Sequence, residues 1–152
     1  MTSVDVTGNY QVTPCRIRYL LTFIDHYTKY AEAFPIPDQR AKTCAQVYAT
    51  QIVARHGSGS KLISDQGPAF MSAFFNETCK ILGIRRARTS GYNPASNGTV
   101  ENLHRSLHTA LSHYVNAAHT DWDVLVPFFL MAIGKRQVPP LDTSPSCCME
   151  GR

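Results

Sequence analysis

The hydrophobic and polar positions change period partway along the chain. Arg18 to Asp25, RYLLTFID, is an almost continuous aromatic and apolar run, as expected of a buried strand. Lys29 to Ile36 alternates, with Tyr30, Glu32, Phe34 and Ile36 set against Ala31, Ala33 and Pro35. Only His26, Tyr27 and Thr28 separate the two runs, which predicts a hairpin. Ser3 to Thr7 adds a short strand closed by Gly8 and Asn9, so the chain opens with antiparallel pieces. Helical spacing then takes over. Cys44, Val47, Tyr48, Ile52 and Val53 recur on one face of a helix predicted over Ala41 to Arg55, ended by Gly57-Ser58-Gly59-Ser60.

Short strands and helices alternate from there. Lys61 to Ser64 reads as a strand, Asp65-Gln66-Gly67-Pro68 as a turn, and Ala69 to Leu82 as a helix stopped by Gly83. Ile84 to Arg88 is another short strand, and Thr89 to Gly98, TSGYNPASNG, is a loop by composition. The longest helix is predicted from Thr99 to about Asn116, with Leu103, Leu107, Leu111 and Tyr114 on one face. Asp121-Trp122-Asp123 opens a last helix, for which Trp122, Phe128 and Phe129 supply packing. No repeat interrupts this order. Strands first, then alternating helix and strand, predict an α/β domain with a mixed sheet.

Composition narrows the class. The 152 residues suffice for one domain with a full core, and 43% hydrophobic against 17% charged excludes a disordered or fibrous chain. The longest apolar run, Val124 to Ile133, carries Pro127 and is too short to span a bilayer, so no membrane partner is expected. The first ten residues show no basic stretch followed by an apolar core, and the expected location is nuclear or cytoplasmic. Five cysteines, odd in number and without metal-ligand spacing, read as reduced thiols. A net charge of +4 permits a polyanionic partner without requiring one.

Candidate chemistry centres on two carboxylates. Asp65 ends a short buried strand in the turn SDQG, and Glu101 falls in the first turn of the long helix as predicted, with 35 residues between them. Such a pair suits a hard divalent cation. It equally suits a turn-stabilising aspartate and a glutamate placed favourably near a helix N-terminus. Glu101, His104 and His108 share a helical stripe whose spacing could hold zinc, but no further ligand cluster accompanies it. The two histidines therefore read as surface or DNA-facing residues. Arg85, Arg86 and Arg88, with Arg105, form either a phosphate-contacting patch or a solvated strand end.

Several stretches together carry a resemblance. They are DVTG at Asp5, YLLTFIDHYTKYAEAFPI, LISDQGPAF, YNPASNGTVE ending at Glu101, HRSL after it, and SP…GR from Ser144 to Arg152. In this order the chain resembles the integrase catalytic core of retroviruses and gypsy-type long-terminal-repeat retrotransposons. The resemblance implies a ribonuclease-H-like fold, a mixed five-stranded sheet flanked by helices, as a single domain over residues 1–152. It further implies a triad of acidic residues, Asp5, Asp65 and Glu101, holding two magnesium or manganese ions. Two such ions, about 3.5–4 Å apart, clamp the attacking and leaving oxygens of an in-line phosphoryl transfer on DNA, in 3′-processing and strand transfer.

Asp5 and Asp25 both lie in matched stretches. In the family's sheet the first strand and the strand before Asp65 are parallel neighbours, so Asp5 and Asp65 fall at one edge. Asp25 ends the antiparallel strand and is expected roughly 15–20 Å away, at about 3.3 Å per residue, with a structural role in the hairpin turn. The loop residues Tyr92, Asn93, Ser96 and Asn97, together with Arg105, are the expected DNA contacts. The implied partners are DNA, as retroelement ends and target, and further copies of the chain in a homodimer or higher oligomer.

Some positions depart from the family's pattern. Asn9 stands where a proline usually follows the first motif's glycine, and Ile133 to Leu141 lacks the usual aromatic and Thr/His-rich pattern. Only Met1 to Val4 precede Asp5, predicting a clipped first strand, and the family's N-terminal zinc and C-terminal DNA-binding domains have no counterpart in the sequence. These departures keep a second expectation open: a non-catalytic nucleic-acid-binding or interaction module left from a decayed retroelement.

Overall fold

A computed structural model of the chain describes residues 1–88, 94–114 and 119–132, the side chains of 88 and 94–97 excepted. The first three strands, β1 (Thr2–Gly8), β2 (Tyr19–Asp25) and β3 (Ala31–Ile36), form an antiparallel meander. Two short strands, β4 (Lys61–Ser64) and β5 (Arg85–Arg88), add to its β1 edge in parallel, giving the order β3-β2-β1-β4-β5. The expected mixed five-stranded sheet is present. β1 pairs with β2 from Thr2, opposite Asp25, to Gly8, opposite Tyr19.

Gly8 and Asn9 explain the turn that leaves β1. Gly8 has φ of +126°, and a Cβ there would lie 2.7 Å from the Tyr10 ring and 2.9 Å from the Arg18 carbonyl oxygen. Asn9 follows at φ +86°. Asparagine tolerates this left-handed region, whereas a proline ring locks φ near −65° and cannot enter it. The departure from the family's proline is thus the backbone's requirement at this turn.

Helices cover both faces of the sheet. The helix predicted from Ala41 forms as α1 (Ala41–Val47), a π-helical segment (Tyr48–Val53) and α2 (Ala54–His56), running on without a break to Gly57. The next predicted helix divides into α3 (Pro68–Met71) and α4 (Ala73–Ile81). Ser72 is the cause, since its backbone turns extended (ψ 150°) and its hydroxyl accepts the Phe75 amide at 3.2 Å to cap α4. The long helix α5 (Pro94–Tyr114) begins earlier than its composition predicts, and α6 (Trp122–Ala132) follows. Pro94 fits a helix start because its fixed φ suits the first turn and its missing N–H is not needed there. The turn-like residues that follow, Ser96-Asn97-Gly98, are absorbed into the helix.

Strand alternation sorts the core into two layers. Val4, Leu21, Phe23, Ile36 and Leu62 face α1, α3 and α4, packing on Tyr48, Phe70 and Phe75. Leu20, Ile24, Ala31 and Ala33 face the other way, under Leu103, Leu107 and Leu111 of α5 and Trp122, Val126 and Leu130 of α6. The leucine stripe of α5 is therefore core, as its spacing predicts. Phe128 is not packing: it is 59% exposed, and Tyr114 at the end of α5 is 72% exposed. Trp122 also donates its indole N–H to the Gln11 carbonyl at 2.8 Å, tying α6 to the loop after β1.

Candidate functional site

Parallel pairing decides which acidic residues meet. In the β1–β4 ladder Val4 lies opposite Ser64, so Asp5 and Asp65 each stand one step beyond the last paired rung. Neighbouring strands are about 4.8 Å apart, which sets both carboxylates at one sheet edge. Backbone amides hold each of them. Asp5 Oδ1 accepts the Val6 N–H at 2.8 Å, and Asp65 Oδ1 accepts the Gly67 N–H at 3.0 Å. A Cβ on residue 67 would lie 3.0 Å from that same oxygen, so the glycine of the SDQG turn leaves room for the carboxylate to fold back on it.

The two aspartates differ in environment. Burial raises the Asp5 carboxyl from 3.8 to about 6, with the Asp65 charge adding to the rise and the Val6 amide opposing it. Asp65 is exposed. A half-buried carboxylate facing a second carboxylate is a place short of positive charge.

Helix α5 supplies the third side. His104 Nδ1 lies 3.9 Å from Asp5 Oδ2, and its Nε2 meets the Thr22 hydroxyl at 2.9 Å. Burial, with the neighbouring His108, lowers the His104 imidazole to about 4. It therefore meets Asp5 as a neutral ring at pH 7. His108 is turned to Tyr10, whose hydroxyl is 3.2 Å from Nε2. His104 is half-buried against Thr22, whereas His108 is exposed, as expected, with its ring beside Tyr10. His104, which the sequence offers only as part of a zinc stripe, is a further candidate beside Asp5. Its signal was available, three residues after Glu101 on one helical face.

Glu101 lies one turn before His104 on α5, about 4.5 Å of helix rise away, and is exposed. It is not in the first turn, because α5 starts at Pro94, and the stabilising N-terminal partial charge does not extend that far. Among the described residues no three His, Cys, Asp or Glu side chains gather closely enough to hold a metal, so Asp5 and Asp65 are brought together without Glu101 completing a cluster. The same holds for the zinc arrangement of Glu101, His104 and His108. Tyr92 and Asn93 lie outside the described residues, as do the side chains of Ser96 and Asn97. Arg105 is exposed on α5.

Two further expectations change. Asp25 lies opposite Thr2, while Asp5 lies opposite Thr22, so three residues along the ladder separate them. That is about 10 Å, closer than the expected 15–20 Å. Asp25 caps the hairpin, accepting the Thr28 hydroxyl at 2.9 Å and the Tyr27 and Thr28 amides at 3.4 Å. Partial burial pushes its carboxyl up, and these hydrogen bonds outweigh that and hold it below the usual range. Arg86 is turned inward rather than lying in a solvated strand end. Its guanidinium reaches Ser64 Oγ at 2.9 Å and Asn76 Oδ1, and stacks over the Phe75 ring at 5.2 Å. It braces β4 just before Asp65.

The sheet order, the flanking helices and the acidic pair at parallel strand ends define the class of the domain. Comparison with known proteins agrees. The family model described as integrase core domain matches residues 1–94, and the chain belongs to that family. Among curated relatives, the retrovirus-related Pol polyprotein from transposon 412 of Drosophila melanogaster is 28% identical over 134 residues, 88% of this chain and 11% of that polyprotein. The Gag-Pol polyprotein of feline leukemia virus is 35% identical over 117 residues, 76% of this chain and 7% of the relative. The chain thus spans a small part of these relatives' length.

Solved structures give the fold. The catalytic core domain of BIV integrase aligns with a TM-score of 0.67 at 27% identity, covering 90% of this chain and 84% of that one. The HTLV-2 integrase catalytic core domain, solved in complex with magnesium in a trimeric form, aligns with 0.69 at 18% identity, covering 92% and 88%. A simian T-cell lymphotropic virus intasome, in complex with PP2A regulatory subunit B56 gamma, aligns with 0.64 at 24%, covering 83% and 47%. These integrase cores have the ribonuclease-H-like fold, and so does this chain.

Proposed function

We propose that the chain is the catalytic core of an integrase-type polynucleotidyl transferase, acting on DNA in 3′-processing and strand transfer. The observation that carries the reading is the Asp5–Asp65 pair at adjacent parallel strand ends, where the Asp65 charge opposes ionisation of a half-buried Asp5. All-oxygen donors at a site short of positive charge fit magnesium or manganese, with Asp5, Asp65 and Glu101 as the residues that would hold the ions. Bound there, such ions would activate the attacking oxygen and stabilise the leaving oxygen of a phosphoryl transfer. Family membership and the neighbour solved with magnesium support this assignment.

The chain's own residues prepare that site. The Val6 and Gly67 amides aim one oxygen of each aspartate, leaving the others for a cation. Arg105, exposed on the same helix as Glu101, would meet phosphate. A surface for a second copy is offered by α6, where Val124, Phe128 and Met131 recur at helical spacing and are all more than half exposed.

A second reading draws on Glu101. Its exposed position, in no three-ligand cluster among the described residues, favours a nucleic-acid-binding or interaction module without catalysis. Manganese-dependent disintegration of a branched DNA separates the two. The enzyme reading expects the reaction and at least about a hundredfold loss of rate in Asp65→Asn and Glu101→Gln, since a ligand of a phosphoryl-transfer site is worth several kcal/mol. Folded protein that binds DNA but never cleaves it, and binds equally well as Glu101→Gln, supports the module.

A further inference from the structure

The Asp5 carboxylate presents its two oxygens to different partners. Oδ1 is taken by the Val6 amide, and Oδ2 faces the His104 ring. Behind that ring stands Thr22, the residue opposite Asp5 in the β1–β2 ladder and almost fully buried. Its hydroxyl lies 2.9 Å from His104 Nε2 and 3.2 Å from the Asp5 carbonyl oxygen. Side chain and backbone thus close a bracket that runs from β1 to β2, across to α5, and back to Asp5.

The Thr22 hydroxyl donates its one hydrogen to the Asp5 carbonyl oxygen, so it meets His104 Nε2 as an acceptor. The bracket has a mechanical consequence. His104 and Glu101 are one turn apart on a rigid helix, so seating His104 on Thr22 fixes the height and rotation of α5 against β1. That seating sets how closely Glu101 approaches Asp5.

We propose that His104, seated on Thr22, is a positioning residue of the acidic site, setting the approach of Glu101 to the aspartates. This inference rests on the integrase reading. Neither residue touches DNA or takes part in the phosphoryl transfer. Partners of this kind typically change metal affinity or activity by about 10–100-fold.

The test uses the whole chain as wild type, His104→Ala, Thr22→Val, Thr22→Ser and the double variant His104→Ala/Thr22→Val. Two readouts are taken: the manganese concentration giving half-maximal thermal stabilisation, and kcat and KM for a branched DNA. His104→Ala and Thr22→Val should each raise the manganese midpoint about tenfold and lower kcat about tenfold or more, with KM for DNA unchanged. The double variant should be no worse than His104→Ala, and Thr22→Ser, which keeps the hydroxyl, should behave as wild type. Thr22→Val preserves shape, so it decides the matter if His104→Ala folds poorly. A wild-type manganese midpoint and kcat in both Thr22→Val and folded His104→Ala overturns the proposal while leaving the integrase reading intact. A wild-type chain with no manganese response and no activity, indistinguishable from Asp65→Asn, overturns both.

Discussion

Replacing Asp5 with asparagine should stabilise the metal-free protein. The carboxyl is raised from 3.8 to about 6, mainly by burial and then by the Asp65 charge. Each pKa step of one is worth about 1.36 kcal/mol, so the ionised side chain costs the folded state about 3 kcal/mol at pH 7 and above. The sign follows from proton binding. Between about pH 4 and 6 the folded chain holds a proton on Asp5 that the unfolded chain has released. Stability from this group is therefore fully present below pH 4 and is lost as pH rises through 6. Asparagine never ionises, and its Oδ1 still accepts the Val6 amide, so the variant avoids the cost without losing the hydrogen bond.

Melting in a chelator at pH 8 should show Asp5→Asn about 6–12 °C above wild type, at about 2–4 °C per kcal/mol for a chain of this size. At pH 4 the two should converge. Manganese should close most of that gap, stabilising wild type by about 2.7 kcal/mol at a hundredfold excess over its dissociation constant and the variant by little. Asp25→Asn should move the other way and destabilise at pH 8, because hydrogen bonds hold Asp25 below its usual range. An Asp5→Asn protein no more stable than wild type at pH 8 would refute the electrostatic reading of the site.

Arg86→Ala should destabilise by about 2 kcal/mol through lost hydrogen bonds to Ser64 and Asn76, measured in urea, while leaving the salt dependence of DNA binding unchanged. Arg105→Ala should leave stability alone and reduce the slope of log affinity against log salt by about one. Gly67→Ala should shift the melting temperature little but weaken the manganese response, because the new Cβ pushes on Asp65 Oδ1. Glu32→Gln should cost about 2 kcal/mol in a denaturant titration, since the buried carboxylate joins Arg55 at 3.1 Å and the Tyr30 hydroxyl at 2.5 Å.

Where local pattern and tertiary packing agree, the sequence was easy to read. Leu21 and Phe23 against Leu20 and Ile24 mark β2 as a strand buried on both faces, and Leu103, Leu107 and Leu111 mark the inner face of α5. Misreadings arose where one residue's backbone decides. Ser72 divides α3 from α4 by a single extended torsion inside an otherwise helical pattern. The string Pro94 to Gly98 has loop composition yet lies in α5, because Val100, Leu103 and Leu107 pack on the sheet and draw the helix with them. The site was legible in the same proportion. The D-x-G turn and the strand before Asp65 point to a carboxylate at a strand end. Nothing local to Thr22 or His104 announces that they meet, since 82 positions separate them and only the packing of α5 on β2 joins them. Arg86 was misjudged for the same reason: a basic run on a short strand looks like surface until Phe75 and Asn76 of α4 are placed against it.

The acidic residues rest on two kinds of support, and this difference governs how the site works. Asp5 and Asp65 are fixed by sheet register and by backbone amides, so their convergence is complete when the strands pair. The cost of burying Asp5, and of setting it beside Asp65, appears in its raised carboxyl. Glu101 is carried by a helix and remains exposed, with a side chain that has about 1.5–2 kcal/mol of rotamer freedom to lose when it takes a ligand. On the proposed reading, a cation would meet two prepared carboxylates and one that must be ordered. Binding strength would then fall chiefly to the aspartates, with Glu101 ordered at a cost in rotamer freedom. A helix seated through His104 and Thr22 suits that division, because Glu101 stands one turn from His104 on α5.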